Sequence, residues 1–209
     1  MIIISHRGYW KDLAEKNQPV AFERSFGLGF GTETDIRDCA GKLVISHDMP
    51  KGDEITVSAM LDFLAGQDLP MAMNIKADGL AKALNEIMQA RGLTRWFTFD
   101  MSVPEMLVQL QLGLPVFTRA SEYERQPACY DRVIGVWLDD FGANWYAPSD
   151  IRAFLNDGKQ VCIVSPELHR RDHQTLWHDL QTHGLVGAPG LMLCTDIPED
   201  AVTFFGKSV

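Results

Sequence analysis

The sequence predicts an α/β protein of the (β/α)8 TIM-barrel class, small and without a large insertion. Three observations carry this. Short β-branched or apolar runs begin near residues 2, 32, 70, 95, 115, 132, 160 and 191, each followed by a helix-like segment or a helix-sized gap. Strand–helix alternation at this rate implies parallel pairing with right-handed crossovers. Polar residues recur at the C-terminal ends of these runs, the rim where a parallel barrel carries its site. An open doubly wound sheet is the rival, but no Gly-rich phosphate turn follows the first strand, as its dinucleotide-binding form requires. At 209 residues the chain reads as one barrel domain, 1–209.

The first strand, 2–6, is the run Ile2-Ile3-Ile4-Ser5-His6. Asn17 is placed to cap a helix that tolerates Pro19 in its first turn, carries Val20, Ala21, Phe22 and Phe26, and ends at Gly27, Gly29 and Gly31. Residues 32–37 form the second strand and 42–46 another extended piece, joined by the turn Asp38-Cys39-Ala40-Gly41. A turn that short permits only antiparallel return, so the second piece is a hairpin arm and not a barrel strand. It carries His47 back toward Glu33 and Asp35.

Residues 57–64 read as a helix capped by Thr56, 70–76 as a strand, and 80–90 as a helix with Leu80, Leu84 and Ile87 at helical spacing. Strands at 95–100, 115–119, 133–137, 160–165 and 191–195 alternate with helices at 103–112, 148–155, 172–183 and 198–205, and 120–131 shows no regular pattern.

With 46% apolar and 22% charged residues the composition is that of a globular protein able to bury a core. The net charge of −9 argues against a general nucleic-acid binder, though a local group of cations can still hold an anionic substrate. Cys39, Cys129, Cys162 and Cys194 lie too far apart for a zinc cage, and the last two read as core thiols. The apolar start at Met1-Ile2-Ile3-Ile4 is too short for a signal peptide, and no run reaches membrane-span length, so a cytoplasmic location without a membrane span is expected.

The strand ends carry the chemistry. Glu33 and Asp35 stand two apart on one strand and so point the same way. Two carboxylates on one face repel each other. A hard divalent cation, Mg²⁺ or Ca²⁺, relieves that repulsion, and so would an ion pair to Arg7 or Arg37. Asn74 and Lys76 repeat the two-residue spacing on the next strand. Histidine as a residue type titrates near neutrality, so His6 and His47 can supply the base and the acid of a phosphoryl transfer. Arg7 offers a planar fork to phosphate oxygens and Lys76 a point charge. His169 and His173 lack the acidic partner of a zinc helix. His178, His183 and Arg170-Arg171 read as solvated, and Trp137 and Trp145 as core or as a substrate wall.

These residues resemble the glycerophosphodiester phosphodiesterase family, within the phosphatidylinositol-specific phospholipase C-like phosphodiesterases. The carriers are His6-Arg7-Gly8, Asn17 with Ala21-Phe22, Gly31-Thr32-Glu33-Thr34-Asp35, the run from Gly41 to His47-Asp48, Asn74-Ile75-Lys76 and Thr195-Asp196. The resemblance implies a barrel that uses a divalent cation to hydrolyse a small glycerol-type phosphodiester to an alcohol and a phosphomonoester. It implies His6 and His47 as the acid–base pair and Arg7 and Lys76 on phosphate. Glu33, Asp35 and Asn74 would hold the metal. A lyase that stops at a cyclic phosphate, and an inactive barrel that binds a phosphorylated ligand, are the alternatives. Asn74 stands where the family has an acidic ligand, and Lys16 where it has a glutamate before the residue matching Asn17.

Overall fold

The computed structural model describes residues 1–206. It divides into two compact units, Ser5–Val116 and a second that joins Met1–Ile4 to the chain from Phe117 onward. One sheet runs through β1 (Ile2–His6), β2 (Gly31–Cys39), β4 (Met71–Ile75), β5 (Trp96–Phe99), β6 (Phe117–Ala120), β7 (Gly135–Leu138), β8 (Gln160–Val164) and β9 (Leu191–Thr195). Its order is β5-β4-β2-β1-β9-β8-β7-β6, with β3 (Lys42–Ile45) attached to β2 alone. Eight parallel strands alternating with helices along the chain make this a small (β/α)8 barrel.

In the Ser5–Val116 unit, β2 pairs in parallel with β4, and β4 with β5. All five residues of β4 are buried, as expected of a strand covered on both faces. β2 starts at a glycine for a steric reason: a Cβ on Gly31 would lie 2.3 Å from the Pro70 carbonyl oxygen. The helix α1 (Pro19–Gly27) turns Ala21, Phe22, Ser25 and Phe26 inward, and Pro19 occupies its first turn, where a missing N–H costs nothing. Phe22 is wholly buried, so truncation to alanine would cost about 3–5 kcal/mol. The cap of α1 is Gln18 and not Asn17, because the Asn17 side chain is engaged elsewhere, as described below. The hairpin forms as expected: β3 runs antiparallel to β2 with Ile36 opposite Ile45 and Arg37 opposite Val44. Thr56 caps α2 (Val57–Asp62) by accepting from the Ala59 N–H at 3.1 Å. The helices α3 (Ala81–Ala90) and α4 (Val103–Gln111) complete the unit, the latter capped by Ser102.

In the second unit, β6 to β9 pair in sequence order, all parallel. Their buried residues Val136, Leu138, Ile163 and Leu193 share a core with Trp177 and Leu180 of α6 (Gln174–Thr182) and Ile151 of α5 (Pro148–Asn156). Ala201 of α7 (Pro198–Phe205) joins the same core. Cys162 and Cys194 are buried, in keeping with core thiols. Trp137 is a core residue, and Trp145 packs on the same core while its indole N–H donates to the Asp139 carbonyl at 2.7 Å. The solvated reading of Arg171 is corrected: it lies 3.2 Å from Asp140, whereas Arg170 is exposed as expected. His169 sits 2.7 Å from Asp139, and the loop after β7 turns both buried carboxylates toward these partners. His178 and His183 are exposed, as expected. Among the described residues no helix is long and apolar enough to cross a membrane.

Candidate active site

Every residue assigned chemistry from the sequence falls in the Ser5–Val116 unit. Strand β1 ends at His6, and the chain then turns sharply through Arg7 (φ +59°) and Gly8 (φ +78°). Gly8 is required twice over: its backbone is left-handed, and a Cβ there would approach Ala21 Cβ to 2.8 Å. The turn is pinned by Arg7 N–H on the Glu33 carbonyl, Gly8 N–H on Thr32 Oγ1 and Tyr9 N–H on the Ala21 carbonyl, each at 2.9 Å. His6 and Arg7 are thus fixed beside β2. Parallel pairing sets Asp35 opposite Asn74, and the Lys76 N–H on the Ile36 carbonyl brings Lys76 to the same end.

The side chains converge accordingly. His6 Nε2 lies 3.8 Å from Glu33 Oε2, Arg7 Nε 3.0 Å from Asp35 Oδ2, and Lys76 Nζ 3.4 Å from Asp35 Oδ1. The carboxylates form the floor, at 2% and 0% exposure. The His6, Arg7 and Lys76 side chains, at 14%, 22% and 21%, stand above them in partial contact with solvent. Burial raises the Glu33 carboxyl well above its usual range, and the Asp35 charge adds to this. Arg7, Lys76 and a hydrogen bond with Asn74 oppose it.

Asn17 is the site residue that the capping assignment missed. Buried, and left-handed at φ +60°, it donates from Nδ2 to Asp35 Oδ2 and accepts from Thr34 Oγ1 at Oδ1, both at 2.9 Å. Its N–H binds the Arg7 carbonyl. The signal was present in the sequence, since Asn17 is one of the residues that carry the family resemblance.

His47 arrives from the hairpin. The Ser46 N–H donates to the Asp35 carbonyl at 3.0 Å, and Arg37 Nε and Nη2 donate to the His47 carbonyl at 3.2 and 3.1 Å. The imidazole is about half exposed, with Nδ1 2.9 Å from Asp48 Oδ1, a bond that lowers the Asp48 pKa. His47 and Arg7 face one cavity of about 350 Å³, whose wall also includes Lys16 and Asn17. His6, Arg7, Glu33, Asp35, Asn74 and Lys76 therefore form one cluster, and His47 joins it through that cavity.

The donor set fits a hard cation. Glu33 Oε2, Asp35 Oδ1 and Asn74 Oδ1 are all buried and make no hydrogen bond. A buried acceptor without a donor carries a desolvation cost, and a divalent ion bound by oxygens would offset three at once. Among the described residues no three His, Cys, Asp or Glu side chains are placed to hold a metal ion together, so the set would be two carboxylates and one amide.

Comparison with known proteins bears on the fold. No family model and no curated protein matches the chain. Its structure is similar to the glycerophosphodiester phosphodiesterase of Agrobacterium tumefaciens, with a TM-score of 0.74 at 15% identity over 99% of this chain and 100% of that one. It is also similar to an Oleispira antarctica phosphodiesterase in complex with the product sn-glycerol-3-phosphate, at 0.71 and 13% over 99% and 97%. A glycerophosphoryl diester phosphodiesterase of Parabacteroides distasonis follows at 0.62 and 10% over 97% and 85%. A phosphoribosyl anthranilate isomerase of Thermus thermophilus scores 0.52 at 13% identity over 98% and 96%, so the architecture alone does not fix a reaction.

Proposed function

We propose that this chain, which shares its fold with solved glycerophosphodiester phosphodiesterases, is a metal-dependent phosphodiesterase. Its substrate is a glycerophosphodiester-type compound, cleaved to an alcohol and a phosphomonoester. One observation carries the reading: three buried oxygens that make no hydrogen bond lie on the neighbouring strands β2 and β4, beside a histidine, an arginine and a lysine at the same strand ends.

Glu33, Asp35 and Asn74 would hold Mg²⁺ or Ca²⁺. Bound there, the ion would polarise a phosphoryl oxygen and offset the charge that builds on the phosphorus oxygens. Arg7 and Lys76, each within reach of Asp35, bind the remaining phosphate oxygens and share that charge. Asn17 holds Oδ2 of Asp35, which leaves Oδ1 directed to the centre. His6, 3.8 Å from Glu33, takes the proton of the attacking water, or of a substrate hydroxyl whose cyclic phosphate water then opens, as its carboxylate neighbour stabilises the imidazolium. His47, oriented by Asp48, gives a proton to the leaving alkoxide.

The test is turnover of a panel of glycerol phosphodiesters in Mg²⁺, in Ca²⁺ and in chelator, followed by phosphorus NMR. A phosphomonoester formed only with metal supports the reading, whereas a cyclic phosphate as end product marks a lyase. Absence of turnover with either metal rejects it.

A further inference from the structure

The cavity beside Arg7 and His47 carries charged groups of both signs, and they are held in different ways. Its charged wall consists of Arg7, Lys16, Lys51, Asp48, Asp53 and Glu54, beside His47. Two of the three carboxylates are committed within their own loop. Glu54 accepts the backbone N–H groups of Lys51 and Gly52 at 2.6 and 2.9 Å, which lowers its pKa, and Asp48 is bonded to His47. Asp53 is the third.

Lys16 is held differently. Its ammonium lies 4.3 Å from the centre of the Trp10 ring, and that ring is fixed by its indole N–H on the His6 carbonyl at 3.2 Å. The cation is thus positioned from the same strand end that positions the candidate base. The occupied ring matters as well. Quaternary ammonium and amine groups are recognised by open aromatic faces, and here the Trp10 face already carries an ammonium. The neighbouring Tyr9 ring is likewise covered by Lys11, 4.1 Å from its centre. A cationic alcohol placed against Trp10 would meet the Lys16 ammonium, and none of the residues that line the cavity offers a Phe, Tyr or Trp face to receive it. At about 350 Å³ the cavity has room for a small diester and one further polar group.

We propose that Lys16 is a specificity-determining residue, and that the alcohol side of the diester carries a second anionic group, a carboxylate or a phosphate, seated on its ammonium. Cationic alcohols are rejected. This rests on the phosphodiesterase reading for its location, and the experiment separates the two. Three sn-glycerol-3-phosphoryl esters of similar size are compared: of 3-hydroxypropanoate (anionic), of propanol (neutral) and of choline (cationic). kcat/KM is measured with Mg²⁺, and affinity by calorimetry, for the wild type, Lys16→Gln and Lys16→Glu, with thermal unfolding as the folding control.

The wild type is expected to prefer the anionic ester. The anionic-to-cationic ratio should fall roughly tenfold in Lys16→Gln and further, toward reversal, in Lys16→Glu. A wild type that favours the choline ester, or a ratio that moves less than twofold in both folded variants, overturns the proposal. If no ester is turned over, the phosphodiesterase reading falls. The affinity ratios, which need no chemistry, then decide the Lys16 assignment by the same thresholds. A phosphate ester of the same length in place of the carboxylate distinguishes the two kinds of anion.

Discussion

The two compact units both carry acidic side chains at strand ends and treat them in opposite ways. In the second unit the carboxylates are satisfied. Asp139 meets His169, and Asp140 takes Arg171 and the backbone N–H groups of Gly142 and Asn144. Glu167 takes Ser165 Oγ, Thr195 Oγ1 and the Asp196 N–H. In the Ser5–Val116 unit, Glu33, Asp35 and Asn74 each leave a buried oxygen without a hydrogen bond, although the Lys76 ammonium lies 3.4 Å from that of Asp35. Among the described residues no other buried side-chain acceptor is left so; the remaining atoms without a hydrogen bond are donors, Arg171 Nε and Arg7 Nε, the latter ion-paired with Asp35 at 3.0 Å. Polar groups at strand ends alone therefore do not distinguish a scaffold from a site. What distinguishes them is whether the protein supplies the partner or leaves the position for a ligand.

The comparison breaks most severely at the histidines. His6→Ala and His47→Ala should each lower kcat by about 10²–10⁴-fold, the usual worth of a positioned acid or base, with an unchanged unfolding midpoint. Turnover near the wild-type rate in either would assign the chemistry elsewhere.

The next effect is on metal. Glu33→Gln should weaken Mg²⁺ or Ca²⁺ binding by at least tenfold in calorimetry, and Asn74→Asp, which adds a charge at the third ligand, should strengthen it roughly tenfold. The pH dependence follows from burial. The raised Glu33 carboxyl holds its proton to higher pH when no metal is bound, so metal binding must expel that proton and affinity must rise with pH. Calorimetry in buffers of different ionisation enthalpy measures the release, which should vanish in Glu33→Gln. Lack of proton release in the wild type would show that the carboxylate is already ionised.

The barrel was legible because parallel strands buried on both faces are written as apolar runs, and the hairpin because a four-residue turn admits only antiparallel return. The Glu33/Asp35 pair and the Asn74/Lys76 pair were legible because side chains two apart on a strand share a face. Asn17 was read as a cap because an asparagine before a proline-led helix fits that role. Its actual bonds, to Asp35 and Thr34, span 18 and 17 residues and depend on the turn at Arg7-Gly8, which no local pattern specifies. The partners of His169 and Arg171 were hidden for the same reason: Asp139 and Asp140 lie 30 and 31 residues earlier and meet them only once β7 and β8 have paired.

The smallest effect lies in the satisfied unit and serves as the control. Asp139→Asn replaces a charge-assisted bond to His169 with a neutral one, which should cost about 1–3 kcal/mol of stability and leave turnover within twofold of the wild type. The cost should depend on pH. Asp139, hydrogen-bonded to the imidazole, raises the His169 pKa above its ordinary value of 6.5. A group whose folded pKa is raised stabilises fully below its unfolded pKa and loses that contribution as pH climbs through the folded one. The gap in unfolding midpoint between the wild type and Asp139→Asn should therefore be wide just below about pH 6.5 and narrow as pH climbs above neutrality. A gap that widens with pH would mean that His169 is held neutral. A large loss of turnover in a folded Asp139→Asn would mean that the satisfied carboxylates share in the chemistry, and the contrast between the two units would no longer mark the site.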